Sequence, residues 1–270
     1  MLCVLLTRPT TYFPPLLPLL LPQVLRGFLR APPEALDKLR LFMLPCGTGN
    51  GVATSLGVRT VRDAAEAILA GEGRARKGQL DLLRIRRLTG INGEGGGEGK
   101  GEGNGEGKGG AGEVLHGALS LTHGAIADCD EVSEGSLRWL PFRTTLLPLW
   151  IGLRKASYVA KVTFVLHPTH HTLPFALDHV DGAQRDEVEV AGVAGKCVRW
   201  TLETDFFSIV VANVPWLATD ACMSHEAKSS DGICHLSLLR SRCSRFQIGK
   251  TLLGAESGKT ADVDTKILEK

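Results

Sequence analysis

The stretch LPCGTGNGVATSLG, residues 44–57, constrains the fold of this chain more than any other. An apolar run ends there in a glycine-rich turn, and small residues suited to a helix start follow at once. Gly47, Gly49 and Gly51 leave the backbone bare, and Thr48 and Asn50 set short polar side chains beside it. A helix opening near Asn50 aims its unpaired N–H groups and the positive end of its dipole at the same place, which is the geometry of a phosphate cradle. The pattern is neither of the two familiar phosphate loops. No Gly-Lys-Ser/Thr follows, and no third glycine stands where the dinucleotide fingerprint has one. The same residues also make a tight strand-to-helix turn that holds no ligand.

Composition narrows the class. The 270 residues are 43% hydrophobic and 22% charged, which is enough for one large or two modest globular domains. A net charge of +2 and 6% aromatic residues argue against nucleic acid as a partner. Seven scattered cysteines without a C-x-x-C pair indicate reduced thiols and a cytoplasmic setting. The apolar run FPPLLPLLLP holds four prolines in ten residues. It is too short and too broken to span a bilayer, so residues 1–22 read as an apolar leader outside the folded domain.

From residue 23 the pattern becomes regular. VLRGFLR reads as a helix, LRLFMLP as a buried strand, VRTVRDAAEAILAG (58–71) as a helix packed beside the cradle, and QLDLLRIRR as a strand. Residues 93–112 are a Gly/Glu/Lys repeat with twelve glycines, expected to be a disordered insertion. The chain resumes as a strand over 114–121, so 80–88 and 113–122 form a hairpin with an inflated loop. The second half offers the β-like runs SYVAKVTFVLH, DEVEVAGVAG, KCVRWTLE, FFSIVVANV and ICHLSLLR, separated by turns. The expected architecture is α/β plus β. A partial α/β nucleotide-binding domain (23–78) precedes an antiparallel sandwich-like domain (79–250) that carries the insertion, and a polar tail (251–270) closes the chain.

A second block, SLTHGAIADCDEVSEGSLRWLPFR, follows the insertion. It gathers Asp128, Asp130, Glu131 and Glu134 after a strand and then supplies Arg138 and Arg143. Carboxylates so placed suit a metal or a cationic group, and arginines suit phosphates. A solvated acidic segment capping a helix has the same composition. Two further patterns are set aside. GAESGKT is one residue short of Walker spacing, and HPTHH lacks carboxylates at metal spacing, so it reads as a solvated turn. His123 reads as a packing residue.

Taken together, the blocks resemble the diacylglycerol kinase and sphingosine kinase superfamily. LPCGTGNGVATSLG resembles its Leu-Pro-x-Gly-Thr/Ser-Gly-Asn nucleotide motif, and SLTHGAIADCDEVSEGSLRWLPFR resembles the sphingosine kinase lipid-site region. DFFSIVVANVPWLATDACMSHEAKSSDGICHLSLLRS is similar to the C-terminal segment, with its Asn-x-Pro-like turn and late Asp-Gly. The resemblance covers roughly residues 24–245 without the insertion. It implies transfer of the ATP γ-phosphate, with Mg2+, to the primary hydroxyl of a sphingoid base, and peripheral membrane contact through an insoluble substrate. By motif position, Gly47, Thr48, Gly49 and Asn50 line the nucleotide phosphates, with Arg138, Arg143 and Asp231 nearby. Asp130 and Ser120 hold the sphingoid head, since a carboxylate facing an ammonium separates a sphingoid base from diacylglycerol. One departure stands out. The family's Gly-Gly-Asp-Gly or Ser-Gly-Asp-Gly motif, whose aspartate is the general base, has no counterpart here, so the chain reads as a truncated lipid kinase without an assignable catalytic base.

Overall fold

The computed structural model describes residues 27, 29–30, 32, 43–46, 49–69, 80–86, 114–134, 156–166, 182–190 and 194–257. The leader, the Gly/Glu/Lys repeat and HPTHH lie outside them. The described chain mixes helix and strand, and its strands pair antiparallel without closing a barrel.

In chain order the elements are α1 (Gly51–Ser55), α2 (Val61–Leu69), β1 (Leu83–Arg86), β2 (Val114–Gly117), β3 (Ser120–Gly124), α3 (Ala125–Glu134), β4 (Tyr158–Leu166), β5 (Gln184–Glu189), β6 (Lys196–Ala212), β7 (Trp216–Ala218), β8 (Ala221–Cys222), β9 (His235–Arg240) and α4 (Arg245–Ser257). The hairpin expected around the insertion is present, since β1 pairs with β2 from Leu83↔Gly117 to Arg86↔Val114. Within the stretch expected as a helix, 58–71, the structure has α2, of which Ala64 is buried and most other residues are exposed. Its start is fixed by Thr60 and Asp63, because the Asp63 backbone N–H donates to Thr60 Oγ1 at 3.1 Å while Asp63 Oδ2 accepts from the Thr60 backbone at 2.8 Å.

The sheet is organised by β6. Its first half pairs with β4 and β5, and its second half pairs with β3 and β9. The sequence pattern reads KCVRWTLE and FFSIVVANV as two strands, and here the structure corrects the reading. They are one strand of 17 residues, because β4 pairs without interruption from Val198 to Phe206 across the polar Glu203–Asp205 junction. The burial pattern gives the reason. Trp200 and Leu202 are buried on one face with Arg199, Glu203 and Asp205 solvated on the other, whereas Phe206–Ala212 are buried continuously where both faces are covered. One core gathers Val162, Phe164, Trp200, Leu202, Phe206 and Ile209, and a second sets Ala125 of α3 and Ile248 of α4 over Phe207 and Leu239. Each fully buried side chain of this size stabilises the fold by about 1.5–3 kcal/mol.

Three further expectations are revised. The stretch 114–121 is not one strand but ends at Gly117 and restarts at Ser120. The carbonyls of Ala118 and Leu119 turn instead to Asn213, whose Nδ2 donates to Ala118 O at 2.8 Å and whose backbone N–H donates to Leu119 O at 2.9 Å. Of the strand expected in LRLFMLP, the described residues Met43–Pro45 are irregular, and Leu44 is exposed. Finally, α4 runs to Ser257, into the stretch read as tail, with Thr251 and Ala255 buried. Gly254 of the Walker look-alike is therefore helical.

Candidate functional site

The turn before α1 is built by backbone approach. Asn50 adopts the left-handed conformation at φ 51° and ψ 24°, the one described non-glycine residue with positive φ, and asparagine is among the few side chains that tolerate it. This reverses the chain into α1 and lays it along β7. Asn50 bridges Ala218, and the Thr219 N–H donates to Gly49 O at 2.8 Å. A Cβ on Gly51 would stand 2.6 Å from Trp216 O and closer still to Leu217 O. Glycine at 51 is thus demanded by packing against β7, not by a ligand. Gly49 differs, since the nearest atom to an added Cβ there is Leu217 O at 3.9 Å, so the space beside its backbone is open. Ser55 Oγ accepts from Trp216 N at 3.0 Å, and the Arg59 guanidinium lies 5.3 Å from the centre of the Trp216 ring. The Asn50 side chain makes no capping bond to α1. Gly47 and Thr48 lie outside the described residues.

Val52 of α1 packs with Ala118 and Leu119, immediately before β3. Ser120, half-buried, therefore stands at the end of β3 nearest the turn, opposite Ala212. At the other end, Gly124 has φ 84° and lies so close to Phe207 O that an added Cβ would be 2.6 Å away. This glycine lets β3 pass straight into α3, which carries the acidic residues.

On α3, Asp128 turns back toward the sheet and accepts a hydrogen bond from the Tyr158 hydroxyl. Burial and then this bond push the Tyr158 phenol well above its ordinary range. His123 meets the Tyr158 ring edge-on at 6.0 Å, and burial lowers its pKa against the opposing pull of Asp128. The Cys129 thiol is pushed up to about 12, first by burial and then by Asp130 and Asp128. Two residues further along a helix is about 200° around it, so Asp130 emerges on the side away from Tyr158, where it is exposed. Arg138 and Arg143 lie outside the described residues.

Asp231 is exposed and its Oδ1 accepts from the Ile233 backbone at 3.0 Å, so it caps its own turn. The residue that holds this loop is Asp81, which the sequence pattern does not single out. Its Oδ2 accepts from Gly232 N at 2.6 Å and its N–H donates to Ser229 O at 2.7 Å. Tyr158 was likewise not legible, since nothing local to SYVAKV signals a partner on α3.

The fold thus brings together the glycine turn, the Trp216–Thr219 segment and the start of β3. Asp130 stands on α3, which follows the other end of β3, and Asp231 stands in the loop held by Asp81. An open polar cleft of about 400 Å3 sits on the solvated face of the sheet, lined by Thr163, Gln184, Arg185, Asp186, Arg199 and Thr201, apart from all of these residues. Among the described residues, no three metal-binding side chains cluster and no helix is long and apolar enough to cross a membrane. Among the described residues of the turn, the backbone at Gly49 is the part left open to an approaching group. Comparison with protein-family models gives no match, and comparison with curated proteins gives none either.

Proposed function

We propose that the chain is a lipid kinase of the sphingosine kinase type, which takes MgATP at the glycine turn and transfers its γ-phosphate to the primary hydroxyl of a sphingoid base. The observation that carries this reading is the docking of the Gly49–Gly51 turn on Trp216–Thr219, beside the start of β3. The three segments whose sequences carry the family resemblance come from distant parts of the chain, and this contact joins two of them next to the third. In this reading the N–H groups around Thr48 and Gly49 bind the phosphates, with Arg138, Arg143 and Asp231 contributing charge and position. Asp130, presented to solvent by α3, pairs with the substrate ammonium, and Ser120 contributes a hydroxyl. Phosphoryl transfer asks mainly for positioning and charge neutralisation, which these groups supply. The nucleotide-binding part is 23–78, the lipid-binding part is 79–250, and ATP lies between them. The protein works in the cytoplasm, in peripheral contact with the membrane that holds its substrate.

The test is transfer of labelled γ-phosphate to sphingosine and, separately, to diacylglycerol. The reading predicts labelled sphingosine phosphate, reduced in Asp130→Asn, with any diacylglycerol labelling unchanged. Diacylglycerol as the better substrate, indifferent to Asp130→Asn, favours a neutral-lipid kinase. A second reading is binding without turnover. It predicts nucleotide binding with no label on either lipid.

A further inference from the structure

Helix α4 is apolar on both of its sides. Its start is fixed by a reciprocal cap, with Gln247 N donating to Ser244 Oγ at 3.2 Å and Ser244 N donating to Gln247 Oε1 at 2.9 Å. That cap sets which side faces the sheet. Ile248, 0% exposed, packs with Phe207 and Leu239, and Leu252 joins the same cluster, while Thr251 and Ala255 are buried on the same side. The opposite side carries Phe246, 81% exposed, and Leu253, 70% exposed, seven residues apart and therefore on one stripe. Lys250 lies between them, and Arg242 and Arg245 are exposed beside the helix start. No aspartate or glutamate occurs from residue 242 to 255.

A helix already packed on one side gains nothing within the fold from a phenylalanine and a leucine on the other. The two apolar side chains call for an apolar environment, and exposed Lys250 between them calls for an anionic one. The headgroup and acyl boundary of an acidic bilayer supplies both at the same depth. A second copy of the chain does not fit as well, since a symmetric dimer through this face would set Lys250 against its own copy. We infer that the outer face of α4, through Phe246, Leu253 and Lys250, is the surface by which the protein docks on anionic membranes. The inference rests on the membrane-contact part of the function proposed above and gives it a location. It requires no catalytic turnover, so the two readings fail separately.

The experiment is co-sedimentation of the full chain with phosphatidylcholine vesicles, with and without phosphatidylserine. Binding is expected on the anionic vesicles, falling with added salt. The double variant Phe246→Ser, Leu253→Ser is expected to weaken it at least about tenfold, and Lys250→Glu about fivefold or more. Leu69→Ser, which removes an 86% exposed leucine on α2, is expected to leave it unchanged. All four positions are exposed, and circular dichroism checks that each variant folds. Wild-type binding by the double variant, equal loss in Leu69→Ser, or no vesicle binding at all overturns the inference. So does a dimer in solution that Phe246→Ser, Leu253→Ser converts to monomer while vesicle binding persists. If labelled ATP fails to bind while the anionic vesicles still discriminate the variants, the kinase reading falls and this one stands.

Discussion

Asn213 is a buried polar residue that ties three parts of the chain together. It is 3% exposed, its amide donates to Asp81 O at 2.7 Å and Ala118 O at 2.8 Å, and its backbone N–H reaches Leu119 O. Removing the amide leaves two inward-facing carbonyls without a donor. Asn213→Ala is therefore expected to cost about 2–3 kcal/mol, read as a lower midpoint in urea unfolding; a change below about 0.5 kcal/mol would contradict this role. Cys129 makes a prediction in pH. Its folded pKa is raised from an ordinary 9.0 to about 12, so its neutral thiol contributes stability that is complete below pH 9 and is lost as pH rises toward 12. Tyr158 acts in the same direction. Alkaline unfolding should accordingly be shallower in Cys129→Ala. At pH 8 iodoacetamide should label exposed Cys46 well before Cys129 in the native protein, and equal rates would contradict the burial assigned here.

At the scale of elements, local signals and distant contacts separate cleanly. Helix α2, the β1–β2 hairpin and the start of α1 at Gly51 were legible because their causes lie within a few residues: helical spacing, a Thr-x-x-Asp start, alternation, and a glycine turn. The unity of β6 was not, because only the uninterrupted partner β4 tells that Glu203–Asp205 continue the strand. The true reason for Gly51 was hidden for the same cause, since Leu217 lies far along the chain. Gly51→Ala is expected to force α1 off β7 and destabilise by about 1–3 kcal/mol. Gly249, inside α4, has nothing within 4 Å of an added Cβ, so Gly249→Ala is expected to stabilise by about 0.5–1 kcal/mol. Thermal unfolding of the two variants side by side checks both, and a shift of the same sign in each would contradict the distinction.

Across the whole molecule, the mixed helix and strand content and the antiparallel pairing could be read from residue patterns alone. Which motif meets which could not, because those meetings depend on a few side chains at long range. Asn213 ties β6 to the β1–β2 hairpin, Asp81 holds the Asp231–Gly232 loop, and Tyr158 binds Asp128. The last of these acts with the packing of Ala125, Cys129 and Val132 to fix the face that α3 turns to the sheet, and Asp130 is exposed. The central claim is that the glycine turn receives the phosphates of a nucleotide, and Gly49 separates fold from ligand there. An added side chain at 49 has room beside Leu217, yet Gly49→Asp sets a carboxylate where phosphates would lie. The decisive measurement is titration of a fluorescent ATP analogue, with magnesium, into wild-type and Gly49→Asp protein of matched thermal stability. Saturable binding to the wild type, weakened at least about tenfold in Gly49→Asp, is the predicted result; equal binding by both, or none by the folded wild type, would contradict it.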